Sequence, residues 1–190
     1  MIQKHRHFII HKPWGYLSQF INNQTKRKKK KLGELYDFPE GIMAIGRLDV
    51  ASEGLLFLTT NGKVSQEIRS SKFEKEYYVQ VNGIITQEAI EKLKKGVEIG
   101  FDGKKYTTKP GKAFVIDDPK FQLRSQKIRD ERHGPTSWIS ISIREGKFRQ
   151  VRKMTAAVGF PTLRLIRVRI GTIKLNDLEI GKVEEIDTFM

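Results

Sequence analysis

The chain has 190 residues, 36 lysines and arginines against 22 acids, a formal net charge of +14 and no cysteine. That length allows one domain with a real core, or two small lobes sharing one; the composition excludes disulfide and thiol chemistry and points to a polyanionic partner. No run approaches the roughly 18 apolar residues of a membrane span, and no secretory signal opens the chain, so a cytoplasmic protein is expected.

Phe8-Ile9-Ile10 reads as a short strand, closed by Lys12-Pro13-Trp14-Gly15, because proline fixes its own φ and lacks a donor. His5, His7 and His11 fall near period-two spacing, but no cysteine or compact carboxylate cluster completes a metal site, and none is expected. Lys26 to Lys31 is a block of six positive charges that does not pack in a core. It is expected as a loop tip between Phe20 and the Leu32–Tyr36 segment, attracting phosphates without choosing a sequence. Gly46-Arg47-Leu48-Asp49 leads to Gly54 and the apolar run Leu55 to Leu58, which reads as a buried strand ended by Thr59-Thr60-Asn61-Gly62. Val64 and Ile68 stand four apart on a short helix.

Tyr77 to Asn82 reads as a strand with Tyr77, Val79 and Val81 on one face. Thr86 is the expected N-cap of a helix that runs to about Lys95 and ends at Gly96, with Ile85 and Ile90 placed as a hydrophobic staple. Short strands and turns follow over 97–115, then a long polar connection over 117–135. Ile139, Ile141 and Ile143 alternate with Trp138, Ser140 and Ser142, the pattern of a half-buried strand. Gln150 to Val158 reads as a helix with Val151, Met154 and Val158 as its stripe, and Leu163 to Ile170 as a strand carrying Arg164, Arg167 and Arg169. Charge is concentrated here: residues 141–170 hold eight Lys or Arg and one acid, Glu145, while 171–190 hold five acids and two lysines. Internal repeats are not evident.

Four stretches carry a resemblance, in order: His11 to Gly15, Gly46 to Leu58, Lys75-Glu76-Tyr77, and Glu145 to Met154 continuing to Leu165. Together they resemble the pseudouridine synthases, in the branch that modifies ribosomal RNA of the small and large subunits, over roughly residues 8 to 172. The resemblance implies a mixed α+β fold with a mainly antiparallel central sheet, helices packed outside and two lobes around a cleft. Many relatives place a small RNA-binding domain first. Here the earliest motif starts at residue 11, so a single catalytic domain over 1–190 is expected. That form, with Arg132 to Trp138, is similar to the large-subunit subtype E.

The implied activity is isomerisation of uridine to pseudouridine in ribosomal RNA, of the large subunit near the peptidyl-transferase region, by a monomer that needs no cofactor. Asp49 is the implied catalytic acid, attacking the sugar or the pyrimidine or removing a sugar proton, and Arg152 is its implied partner or else a phosphate contact. Tyr77 lies against the target base in the family, or belongs to the core. Arg47 holds the everted nucleotide or fills the gap it leaves; Lys75 orients nearby groups or binds phosphate; Ile143 walls the base pocket or is core. Lys147, Arg149 and Arg164 are expected on the RNA-binding face. Two other readings fit the charge: a non-catalytic basic RNA-binding or ribosome-assembly protein, and a metal-dependent nuclease, although the carboxylate cluster that the latter needs is missing around Asp49.

Overall fold

The computed structural model describes residues 4–21, 29–70, 73–129 and 131–189. The chain divides into two compact units, one formed by 1–73 with 167–190 and the other by 74–166. Lys26, Arg27 and Lys28 of the basic block lie outside the described residues.

The first unit contains β1 (His7–Lys12), β2 (Tyr16–Leu17), β3 (Lys30–Lys31), β4 (Met43–Ile45), β5 (Glu53–Thr59) and α1 (Gly62–Arg69). Every residue of β5 is buried, as its unbroken apolar run requires. β1 pairs antiparallel with β5 in the register Phe8 to Leu58 and Lys12 to Gly54, and β4 also pairs with β5. α1 packs against β4 and β5. It is capped by Asn61, whose Oδ1 accepts from the amides of Lys63 and Val64, and it buries Ile68. Lys30 and Lys31, expected in a loop tip, instead form the short parallel strand β3 beside Tyr16 and Leu17. The next residue explains it: Leu32 is fully buried and anchors the end of that segment.

The second unit contains β6 (Lys75–Asn82), α2 (Gln87–Lys95), β7 (Glu98–Phe101), β8 (Lys104–Thr107), β9 (Lys112–Ile116), β10 (Thr136–Ile143) and α3 (Gln150–Ala157). Thr86 caps α2 as expected, its Oγ1 accepting from the amide of Ala89, and Ile90 and Leu93 go into the core. β11 (Thr162–Ile170) begins in this unit and ends in the first; β12 (Ile173–Lys174) and β13 (Val183–Ile186) complete the chain. Strand order is β11-β6-β10-β9 in the second unit and β13-β1-β5-β11 in the first, with β12 on β11. The ladders β1–β5, β1–β13, β6–β10 and β9–β10 are all antiparallel. This is the mixed fold with a mainly antiparallel sheet that the motifs imply.

A further expectation fails. β10 is not half-buried: Ser140 and Ser142 are as enclosed as the isoleucines between them. The strand lies between β6 and β9, and Ser140 Oγ donates to Glu76 Oε1 at 2.8 Å. A small hydroxyl with a partner tolerates a buried face that an alternating pattern assigns to solvent.

Candidate active site

The turn that carries Arg47 and Asp49 is held from both sides within the first unit. Ser18 Oγ donates to Leu48 O at 2.8 Å and accepts from Leu48 N at 2.9 Å, so one side chain satisfies both backbone groups of the residue before Asp49. Gly15 N donates to Val50 O at 2.8 Å, and Ser52 N to Asp49 O at 2.9 Å. Leu48 is buried and Gly46 takes φ +73°, a conformation that glycine adopts without strain. Arg47 is exposed, and Gln19, with its amide oxygen turned toward the guanidinium, accepts from Arg47 Nη1 at 3.3 Å and Nη2 at 3.2 Å. Asp49 is half-buried.

Lys12 is the residue that sequence reasoning missed. Its motif left open a plain strand exit or, as the resemblance implies, a lining of the active cleft, without singling out Lys12; the side chain is fully buried and its Nζ donates to Pro13 O at 2.9 Å. Burial pushes its pKa from 10.5 down to about 7, against the opposing pull of the Glu53 and Asp49 carboxylates, while the Arg167 guanidinium adds to the fall. Glu53 and Arg167 are themselves buried, and Arg167 Nε donates to Leu55 O at 2.7 Å. Asp49 therefore stands beside an amine whose charge changes near neutrality.

The sign of the pH effect follows. The unfolded chain holds the Lys12 proton up to about pH 10.5 and the folded one releases it near 7, so stability rises with pH between those values. Lys12→Met removes this rise. Urea midpoints for both proteins from pH 7 to 9.5 should show the wild type gaining roughly 3 kcal/mol relative to the variant; parallel curves would contradict the buried-amine account.

Tyr77, Lys75, Ile143, Lys147, Arg149, Arg152 and Arg164 belong to the second unit. Tyr77 is buried on β6 with Val79 and Val81, opposite Ile141 of β10, and Ile143 pairs in register with Lys75. Lys147, Arg149 and Arg152 gather at the start of α3. That start is built on Glu145: Gln150 Nε2 donates to Glu145 Oε1 at 2.6 Å, Gln150 Oε1 accepts from Lys147 N at 3.0 Å, and the Tyr106 hydroxyl donates to Glu145 Oε2. Arg149 takes the left-handed φ of +52° as the residue before the helix and is exposed. Lys147 Nζ lies over the Phe101 and Tyr106 rings at 4.9 and 5.0 Å. Arg152 is half-buried on the first turn of α3. Arg164 is 3 % exposed, and its Nη2 donates to Gln122 O at 2.9 Å, so it braces the 117–129 connection rather than presenting its charge to solvent.

The histidines have local partners: His7 Nδ1 is 2.9 Å from Thr59 Oγ1, and His11 Nδ1 donates to Leu178 O at 2.7 Å. Among the described residues no three His, Cys, Asp or Glu gather as metal ligands. No described helix is long and apolar enough to cross a membrane.

The family model for RNA pseudouridylate synthase matches residues 6–157. A Vibrio parahaemolyticus protein named ribosomal large subunit pseudouridine synthase E is 42 % identical over 187 residues, covering 97 % of this chain and 75 % of that protein. A Xanthomonas axonopodis pv. citri protein of the same name is 39 % identical over 173 residues, covering 90 % of this chain and 88 % of that protein. A solved structure described as a pseudouridylate synthase superposes with a TM-score of 0.76 at 27 % identity, over 97 % of this chain and 71 % of the other.

Proposed function

We propose, for a chain that belongs to the RNA pseudouridylate synthase family, that its substrate is ribosomal RNA of the large subunit and its product a single pseudouridine there, near the peptidyl-transferase region. The chain is an RNA pseudouridine synthase, so the non-catalytic and nuclease readings give way. The reaction breaks the C1′–N1 bond, turns the uracil while it is held and joins C5 to C1′. The proton on C5 is lost and N1 gains one, so the atoms balance with no redox partner or group donor.

Within this proposal Asp49 is the working carboxylate and Arg152 its guanidinium partner. Tyr77 provides the ring against the base and a hydroxyl near the departing C5 proton. Arg47, Lys75, Lys147 and Arg149 hold the RNA by charge, Ile143 walls the base pocket, and Arg164 positions the connection under which it lies. The two units work as one catalytic domain, in a cytoplasmic monomer. The observation that carries the substrate class is the 42 % identity across 97 % of the chain to a protein named for large-subunit ribosomal RNA. Support for Asp49 comes from its place on a turn pinned at Leu48 by Ser18.

The test supplies undermodified bacterial large-subunit, small-subunit and transfer RNA separately and maps pseudouridine by base-specific chemistry. One new pseudouridine in the large-subunit RNA is expected. Product confined to another RNA would overturn the substrate, and no product in any of them would overturn the activity.

A further inference from the structure

A tight hairpin and the turn before α3 bring aromatic rings and ammonium groups together on the surface of the second unit. β7 and β8 are joined by Asp102-Gly103, both at positive φ, +51° and +70°, the pattern of a two-residue hairpin turn. Strand pairing sets Phe101 and Tyr106 on the face that holds the buried Ile99, and their rings meet edge-on with centroids 6.1 Å apart. α3 packs on β7, and Lys153 of α3 donates from Nζ to Gly100 O at 2.7 Å, which ties the hairpin to the helix. The same ammonium stands 6.0 Å from the centre of the Phe101 ring and 5.4 Å from that of Phe148. Lys147 lies over Phe101 and Tyr106 as described above, so cations and rings alternate from Tyr106 to Phe148.

Phe148 ends this series and faces solvent, 67 % exposed. Its backbone is held all the same. Lys147 N donates to Gln150 Oε1 at 3.0 Å and Gln150 N to Lys147 O at 3.1 Å, so Phe148 and Arg149 are the two central residues of a hydrogen-bonded turn, and both are exposed. A ring set on such a turn loses little conformational freedom when a partner stacks on it. The Lys153 ammonium against the ring disfavours a partner's lysine or arginine and favours a flat, electron-rich group. Nearby acids are engaged: Glu145 with Tyr106, Gln150 and the amide of Lys109, and Glu98 with Lys105 at 3.0 Å. Asp102 is exposed at the hairpin turn, with Lys104 and Lys105 close behind it in the chain. An exposed ring next to an exposed guanidinium suits a base and its phosphate.

We propose that Phe148 is a stacking site for an unpaired base of the substrate RNA other than the target uridine, with Arg149 on the adjoining phosphate and the hairpin of Phe101 and Tyr106 as the brace behind the ring. This rests on the RNA substrate proposed above. The turn runs straight into the first turn of α3, which carries Arg152, so RNA that reaches Arg152 passes the ring. Stacking tolerates every base, so the site asks for an unstacked nucleotide near the target rather than for a sequence.

Substitutions at the exposed ring test it, and the fold has little reason to resist them. In filter binding to the large-subunit RNA fragment, Phe148→Ala should raise Kd about tenfold, Phe148→Leu almost as much and Phe148→Trp not at all, with unchanged urea midpoints. The slope of log Kd against log salt should match wild type in Phe148→Ala, because no phosphate contact is lost. Among RNAs with a single abasic residue at each unpaired position near the target, one should cost the wild type the same factor and cost Phe148→Ala almost nothing further. A Kd within twofold of wild type for Phe148→Ala, or no abasic position that couples to it, would overturn the proposal. Affinity kept by leucine as fully as by tryptophan would overturn stacking in favour of a merely apolar contact. A wild-type dimer that Phe148→Ala dissociates, with RNA affinity untouched, would overturn it in favour of a surface for a second copy. Because Kd is read without catalysis, a wild type that binds RNA yet makes no pseudouridine would count against the activity alone.

Discussion

Asp49→Asn is expected to lower pseudouridine formation by at least roughly 10³-fold while RNA affinity and the urea midpoint stay close to wild type. The amide keeps the shape of the carboxylate and loses its charge, its basicity and its nucleophilicity, so each chemical role open to Asp49 is removed together. The fold has little reason to respond. The turn is held through backbone groups of Leu48, Val50 and Asp49 itself, none of which the substitution alters. Lys12 loses one of the two carboxylates that favour its charged form, which moves its pKa further down. That shift leaves a buried neutral amine near neutral pH, a state the fold already tolerates. Single-turnover mapping of pseudouridine on saturating RNA separates the rate from the affinity. Product at the wild-type rate would refute Asp49 as the working acid.

Gly54→Ala is expected to destabilise the protein by roughly 4 kcal/mol or more, enough to leave much of it unfolded or insoluble. A Cβ at this position would lie 2.3 Å from Arg167 O and 2.6 Å from Arg167 N, and φ is +105°. Both atoms are backbone, so no rotamer change relieves the overlap. Neither strand has room to retreat: β5 is buried along its whole length, and the neighbouring Leu55 O already accepts from Arg167 Nε. Gly54 is also the register partner of Lys12, so a shift would disturb the enclosed charges of Lys12, Glu53 and Arg167. Gly62→Ala is the control, since a Cβ there meets nothing within 4 Å and φ is not positive. Its midpoint should match or slightly exceed wild type. A Gly54→Ala protein with the wild-type melting temperature would contradict the close approach.

What the sequence made legible depended on whether local signals agreed with the tertiary setting. Leu55 to Leu58 and the Thr86 cap were readable because an apolar run and an N-cap mean the same thing in most contexts. β10 was readable as a strand but not as a fully buried one, because serines at Ser140 and Ser142 look solvent-facing until a second neighbouring strand and Glu76 supply their surroundings. Lys12, Glu53 and Arg167 were harder still. Each reads as surface by itself, and only the pairing of β1 with β5, and the approach of β11, encloses them beside one another. Arg164 shows the same limit in reverse: a charge counted toward an RNA face turned out to hold a backbone carbonyl. β13 was not predicted, since Val183-Glu184-Glu185-Ile186 has only two apolar residues and gains its strand character from the edge of β1.

That last pairing bears on the order in which the protein can assemble. The second unit is a continuous stretch, 74–166, whose strands and helices are all present once that stretch has been made. The first is interrupted: β1 gains its outer neighbour only from Val183–Ile186, and Arg6 reaches its ion-pair partner Glu185 across 179 residues. During synthesis the unit that carries Asp49 therefore waits, with one edge of β1 open, until residues 183–186 have emerged, while the unit that carries Tyr77 and Arg152 can already be folded. A nascent chain stalled before residue 183 would hold the helices and strands of the 74–166 stretch without a finished strand pairing around Asp49. The unit that holds the first strand made is therefore the later of the two to be closed.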